Sequence, residues 1–179
     1  MSVSSVSPVV SAGHLSATAW WGVAGTVALL VDAIMRLAPI AAEPLMQGGL
    51  SGSALVAYVA AIGFMAYVEG YRGFQLRFSP RVVARALAIG RAPWWCAPLA
   101  PVYCMGMVHA TRRRLAGTWC LIAGIIAMVV MIRWLPQPWR GAIDAGVVVG
   151  LSWGSISILV EAARAVSGRV PEIDPDLPA

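Results

Sequence analysis

Long apolar runs alternate with clusters of arginine along this chain. Between Ala17 and Ile34 the only charged residue is Asp32, and comparable runs follow near 53–69, 117–134 and 143–161. A helix rises about 1.5 Å per residue and the hydrocarbon core of a bilayer is about 30 Å thick, so about 20 apolar residues suffice to cross it. The pattern predicts an all-α membrane protein with four transmembrane helices, at about 17–40, 53–69, 117–134 and 143–161. The first opens on Trp20 and Trp21 and is expected to break at Pro39. The turn between the last two holds Pro136 and Pro138, with Trp134 and Trp139 placed as interface anchors.

A further apolar stretch, 94–110, is short, contains Pro98 and Pro101 and follows Pro93. Arginines on its two sides decide how it is read. Arg72, Arg77, Arg81, Arg85 and Arg91 precede it, and Arg112, Arg113 and Arg114 follow it directly. A full crossing would put these clusters on opposite sides of the membrane, against the tendency of arginine to stay in the cytoplasm. The expectation is a Pro-broken, re-entrant or short third segment that enters and leaves on the cytoplasmic side, with both termini cytoplasmic in a bacterial-type inner membrane. Five full spans would reverse the triple arginine and the C-terminus. Within 71–91, read as a cytoplasmic loop, Ser79 as N-cap and Pro80 at the first turn predict a short amphipathic helix ended by Gly90. Arg81 and Arg85, one turn apart, would hold it in the headgroup layer.

Composition supports the bilayer as solvent. The 179 residues are 59% hydrophobic and 12% charged, against about 25% charged in an ordinary soluble domain. All 13 basic residues are arginine, giving a net charge of +5. They sit at the ends of apolar runs, so anionic lipid headgroups explain them and nucleic acid is not expected as a partner. The Ser- and Val-rich 1–13 has no basic residue, unlike a secretory leader, and the first apolar run is therefore read as a retained helix. Residues 1–170 form one polytopic domain in this reading, and 171–179, acidic and Pro-rich, an extended, mobile tail. Cys96, Cys104 and Cys120 lack metal or redox spacing and read as small buried hydrophobes.

Three constellations are candidates for chemistry or assembly. Gly146, Gly150 and Gly154 repeat every four residues, with Ala142 and Ala162 in the same spacing, and form a groove where another helix can approach closely. That helix belongs either to this chain or to a second subunit. Asp32 and Arg36, Glu69 and Arg72, and Glu161 are charges in or at the ends of apolar spans, candidates for a polar pathway or for holding a lipid headgroup. Cys104, Met105, Met107 and His109 are a soft donor set of the kind that suits copper, and His109 is a candidate ligand for a tetrapyrrole. No second cluster completes such a site, and no cofactor is expected.

No G-x-S-x-G, H-E-x-x-H or phosphate-loop motif occurs. The reading is therefore a non-catalytic membrane subunit or assembly factor acting through helix–helix packing, as a homo-oligomer or with another membrane protein. The alternatives are a small oligomeric transporter or channel, and a lipid-modifying membrane enzyme.

Overall fold

The computed structural model describes residues 15–48 and 50–177, so the N-terminal 1–14 and the last two residues of the tail lie outside the described residues. It is all-helical, with no strand among the described residues. Helix α1 is Ala17–Met46 and α2 is Gly52–Met65; α2 passes without a break into a π-helical segment, Ala66–Phe78, and then into α3, Ser79–Ala88. Two 3₁₀ turns, Ile89–Arg91 and Trp94–Cys96, lead to the short α4, Ala100–Cys104, then to α5, Arg112–Ile132, and α6, Trp139–Val166. Among the described residues four helical stretches are long and apolar enough to cross a membrane: Ala17–Met46, Gly52–Arg91, Arg112–Ile132 and Trp139–Val166.

Helix α6 is the centre of the bundle and packs against α1, α2, the π segment and α3. Its small residues make this possible. A β-carbon added at Gly146 would come within 2.8 Å of the Ala61 carbonyl oxygen, at Gly150 within 2.8 Å of Glu69 Oε2, and at Gly154 within 2.5 Å of the Phe74 ring. Apolar lipid gives helices no hydrophobic reason to associate, so close backbone approach of this kind is what holds them. The glycine stripe is thus filled by this chain's own second helix. The π segment follows the stripe past Glu69, Gly70 and Phe74, and Gly70 lies directly against the ring of Trp153. A π turn is rare, and 13 consecutive residues of it are rarer still.

Helices α1 and α6 run antiparallel. Gly141, near the start of α6, sits beneath Pro44 at the far end of α1 and Tyr58 of α2. At the opposite end Ile158, Ala162 and Ala165 share a core with Leu15, Ala19 and Val23 of the α1 end, with Val82, Val83 and Ala86 of α3, and with Ala100, Tyr103 and Cys104 of α4.

Several boundaries differ from the sequence reading. Helix α1 does not break at Pro39 but continues through it and Pro44 to Met46. Pro44 has no N–H for the Ile40 carbonyl, and Gln137 Nε2 donates to that oxygen instead at 3.3 Å. Tyr58 Oη donates to the neighbouring Ala41 carbonyl at 2.9 Å. The segment 71–91 is not a loop but helix throughout. Its last part, α3, is no exposed interfacial helix: Val82, Val83, Ala84, Arg85, Ala86 and Ala88 are all buried, because α1, α4 and α6 cover it. Ser79 does not cap it, since the backbone enters from the π segment already helical and the Ser79 hydroxyl is buried without a partner.

The packing around Gly146 generates a prediction. Gly146→Leu forces a side chain against the α2 backbone, which cannot yield, and should lower folding stability by about 1–3 kcal/mol. Gly124→Leu on α5, where a β-carbon meets nothing within 4 Å, should leave monomer stability unchanged. Denaturation in detergent checks both; equal stability of the two variants contradicts the packing.

Candidate functional site

The arginine-rich end of the bundle is built around Arg85, whose residue surface is 2% exposed. Its flanking sequence, Val82-Val83-Ala84 and Ala86-Leu87-Ala88, is apolar and small on every side, so α3 can be enclosed on all faces. An unpaired charge in such a place is costly unless every donor is used. Arg85 Nε donates to the Tyr103 carbonyl at 2.6 Å, Nη1 to the Pro175 carbonyl at 2.6 Å, and Nη2 to the carbonyls of Val108 at 2.9 Å and His109 at 3.0 Å. The guanidinium also lies over the Tyr103 ring, 4.3 Å from its centroid. A guanidinium has five N–H donors in a rigid fork. Here the fork is spent on main-chain oxygens, those of Val108, His109 and Pro175 outside any helix and that of Tyr103 at the end of α4.

Those oxygens belong to a backbone bent for the purpose. Prolines keep 94–110 from forming one long helix, leaving the five-residue α4 and a run of turns. Gly106 has φ +77 and His109 φ +47, and this left-handed bend turns the adjacent carbonyls of Val108 and His109 onto one nitrogen. His109 is held in this uncommon conformation with its ring stacked on Tyr103, at 6.2 Å between centroids, and edge-on to Trp95 at 6.1 Å.

The C-terminal segment closes the site. Residues 169–177 have no helix or strand, yet they are tied at their far end: Pro175 by Arg85, and the Asp176 carbonyl by the Thr111 N–H at 3.0 Å. Leu177 packs against the core. The Asp176 carboxylate lies between two guanidiniums, with Arg81 Nε and Arg114 Nε each 3.9 Å from the same oxygen, Oδ2. Arg81 Nε is buried and has no hydrogen-bond partner.

The charges expected from sequence to form a polar pathway are not brought together. Asp32 and Arg36 make a two-bond pair, Nε to Oδ2 at 2.8 Å and Nη2 to Oδ1 at 3.2 Å, but the pair faces outward with side chains 60% and 77% exposed. Glu69 lies against Gly150, while Glu161 pairs with Arg164 at 2.6 Å, eleven residues further along α6 and so about 16 Å away. Arg72 is exposed and makes no ion pair among the described residues. Glu161 and Arg164 instead border an open groove of about 550 Å³ with Gln75, Ser152, Trp153 and Ser157, where Trp153 Nε1 donates to Gln75 Oε1 at 2.8 Å. Cys104 is spent on packing, its sulfur set against Gly22. Met105 and Met107 lie half-buried in the same turn region, and no cluster of three His, Cys, Asp or Glu suited to a metal occurs among the described residues.

Two features were not read from sequence. Arg85 carried a partial signal, since its nearest sequence neighbours, Val82 to Ala84 and Ala86 to Ala88, are all apolar, although Arg81 shares its face. Asp144, buried and 3.6 Å from Arg140 Nε, lay unremarked within the last apolar run. No known family, no curated protein and no solved structure matches this chain.

Burial pushes the Cys104 thiol up to about 12, against the opposing pull of the Arg85 charge. Cys104 should therefore resist maleimide at pH 8 until the protein unfolds. Arg85→Gln strands several carbonyls at once and should cost about 3 kcal/mol or more. Loss of the Arg85 charge alone would raise the Cys104 thiol further, so Cys104 should become reactive in the native pH range through opening of the site to water. Arg85→Lys should not restore protection, because one ammonium cannot reach four carbonyls. Full protection of Cys104 in Arg85→Gln contradicts this account of the site.

Proposed function

We propose that this protein is a non-catalytic membrane subunit that assembles with another membrane helix through α5. The observation that carries the reading is the position of α5 itself. It has a mean hydropathy of 2.4 over its most apolar window, yet Ile132 is its one buried residue. Its two faces differ. Leu115, Thr118 and Ile122, half-buried, lie on the side with Ile125 and Val129, whereas Ala116, Gly117, Cys120, Ala123, Gly124 and Ala127 make a face of small residues that is wholly exposed. Lipid rewards large apolar side chains as readily as small ones, so a face stripped of side-chain bulk is explained by a second helix approaching closely.

The arrangement at the arginine-rich end supports the finer membrane reading. Helix α3 ends there and α5 starts there, so 94–110 begins and finishes on one side, as a re-entrant segment would. A cytoplasmic position for this end, and with it both termini, follows from the arginine bias in an inner membrane. A transporter or a headgroup-modifying enzyme is less well supported, since Glu69, Arg72 and Glu161 converge on no common site.

Two measurements test the proposal. In a chain lacking Cys96, Cys104 and Cys120, single cysteines at Gly48 and Gln137 should react with an impermeant maleimide from outside, while those at Gly90 and Ser167 stay silent; external labelling at Gly90 overturns the topology. A photo-crosslinker at Gly124 should trap a protein, a second copy or a different subunit, and one at Ile125 should not. Crosslinks to lipid alone at both positions refute assembly through α5.

A further inference from the structure

The Asp176 carboxylate is a poor fit for the place it occupies. Two other ion pairs of this chain are close, 2.8 Å at Asp32–Arg36 and 2.6 Å at Glu161–Arg164, and the pair of Arg140 with the buried Asp144 is 3.6 Å. Between Arg81 and Arg114 both contacts are 3.9 Å and converge on one oxygen, too long for hydrogen bonds, and Arg81 Nε is left without a partner although it is buried. Two guanidiniums from different helices thus converge on one carboxylate oxygen, and neither Nε is within hydrogen-bond distance of it. Arg85 adds a third positive charge close by, its own donors committed to carbonyls. Among the described residues Asp176 is the one acidic side chain that pairs with Arg81 or Arg114, so three guanidiniums here meet one carboxylate.

The charge matches a tetrahedral oxyanion. A phosphomonoester carries about −1.5 to −2 charges near neutral pH and three acceptor oxygens, enough for Arg81 and Arg114 to bind different oxygens of one group in place of sharing one. The side chain now in the site is easily removed. The Asp176 carboxylate makes two long contacts, the residue lies in a left-handed conformation at φ +53, and its segment, without helix or strand, is tied by the main-chain bonds of Thr111 to Asp176 and of Arg85 to Pro175. We propose that Arg81 and Arg114 form a binding site for a phosphomonoester, and that Asp176 of the C-terminal segment occupies it as an internal competitor. Binding expels the carboxylate and loosens 170–177, while the Arg85 bonds to Tyr103, Val108 and His109 keep the rest of the site in place. The same chemistry is offered by a lipid headgroup at the membrane surface and by free phosphate.

The test uses the full chain in nanodiscs of phosphatidylcholine alone, with 10% phosphatidic acid, or with 10% phosphatidylglycerol, and in the first with added inorganic phosphate. Hydrogen exchange of 170–177 is the readout for release of the tail, and exchange of α6 reports the fold. Phosphatidic acid should raise exchange in 170–177 with α6 unchanged, and phosphatidylglycerol, a diester of lower charge, should do so less. Asp176→Asn should lower the phosphatidic acid content needed for half-maximal binding by about tenfold, because it removes the competitor. Arg81→Gln should abolish the response while Cys104 stays protected from maleimide. A response to inorganic phosphate as well assigns the site to a soluble phosphate; a response to phosphatidic acid alone assigns it to lipid. No response to either probe, or an Asp176→Asn variant that binds phosphatidic acid no better than the parent chain, overturns the proposal.

Discussion

The buried guanidinium of Arg85 is the constraint on which the arginine-rich end depends. A chain that abandons helix among apolar surroundings must find partners for its carbonyl oxygens, because neither lipid nor packed side chains supply donors. The prolines of 94–110 force that departure, and Arg85 answers it with four bonds to four carbonyls. Neither feature is stable without the other. With no carbonyls to bind, the charge would not tolerate burial; with no arginine, the turns would collapse or flood. The same residue joins α3, the turns after α4 and the C-terminal segment, so three elements distant in sequence form one cap on the bundle.

At the other end, and along the whole of α6, the problem is one of shape. Gly146, Gly150 and Gly154 allow α2 and the π segment to lie against α6 with backbone and side-chain atoms in direct contact. The π winding keeps successive residues turned toward this stripe over the middle of the bundle, where Glu69, Gly70 and Phe74 meet α6. Glu69 consequently ends beside Gly150, half-buried, and not at the mouth of a vestibule. Proline is accommodated by the same logic of replacement: the Ile40 carbonyl that Pro44 cannot serve is served by Gln137.

The spans were legible because hydropathy over 20 residues is a property of the local sequence, and the four apolar runs coincide with the four long helices, the third overrunning α5 at residues 133–134. The failure of 94–110 to make one long helix was legible from Pro98 and Pro101 for the same reason. What was not legible depends on contacts between distant residues. Arg81 and Arg85 read as a surface pair because helix spacing shows that they share a side, not that α1, α4 and α6 would enclose that side. The continuation of α1 through Pro39 and Pro44 rests partly on Gln137, nearly a hundred residues away. The glycine stripe was recognised as a groove, but which helix fills it is decided by the second span lying parallel to α6, so that Ala61, Glu69 and Phe74 meet Gly146, Gly150 and Gly154 in turn. The small face of α5 was present in the sequence at helical spacing and went unread, since its meaning comes from the structure leaving it exposed.

Helix α5 stands apart from this scheme, and its attachments explain why. Its start is held where the Thr111 N–H bonds to the Asp176 carbonyl and Arg114 approaches Asp176 and Gly106. Its end is held by Ile132 and the turn into α6. Between them its contacts are slight, so its angle to the bundle is set at the two ends and not by a packed seam. One of those ends is the C-terminal segment itself. The segment that covers the paired arginines is therefore also the one that steadies the base of the exposed helix, and a helix steadied only at its ends is free to adjust its small-residue face to whatever packs against it.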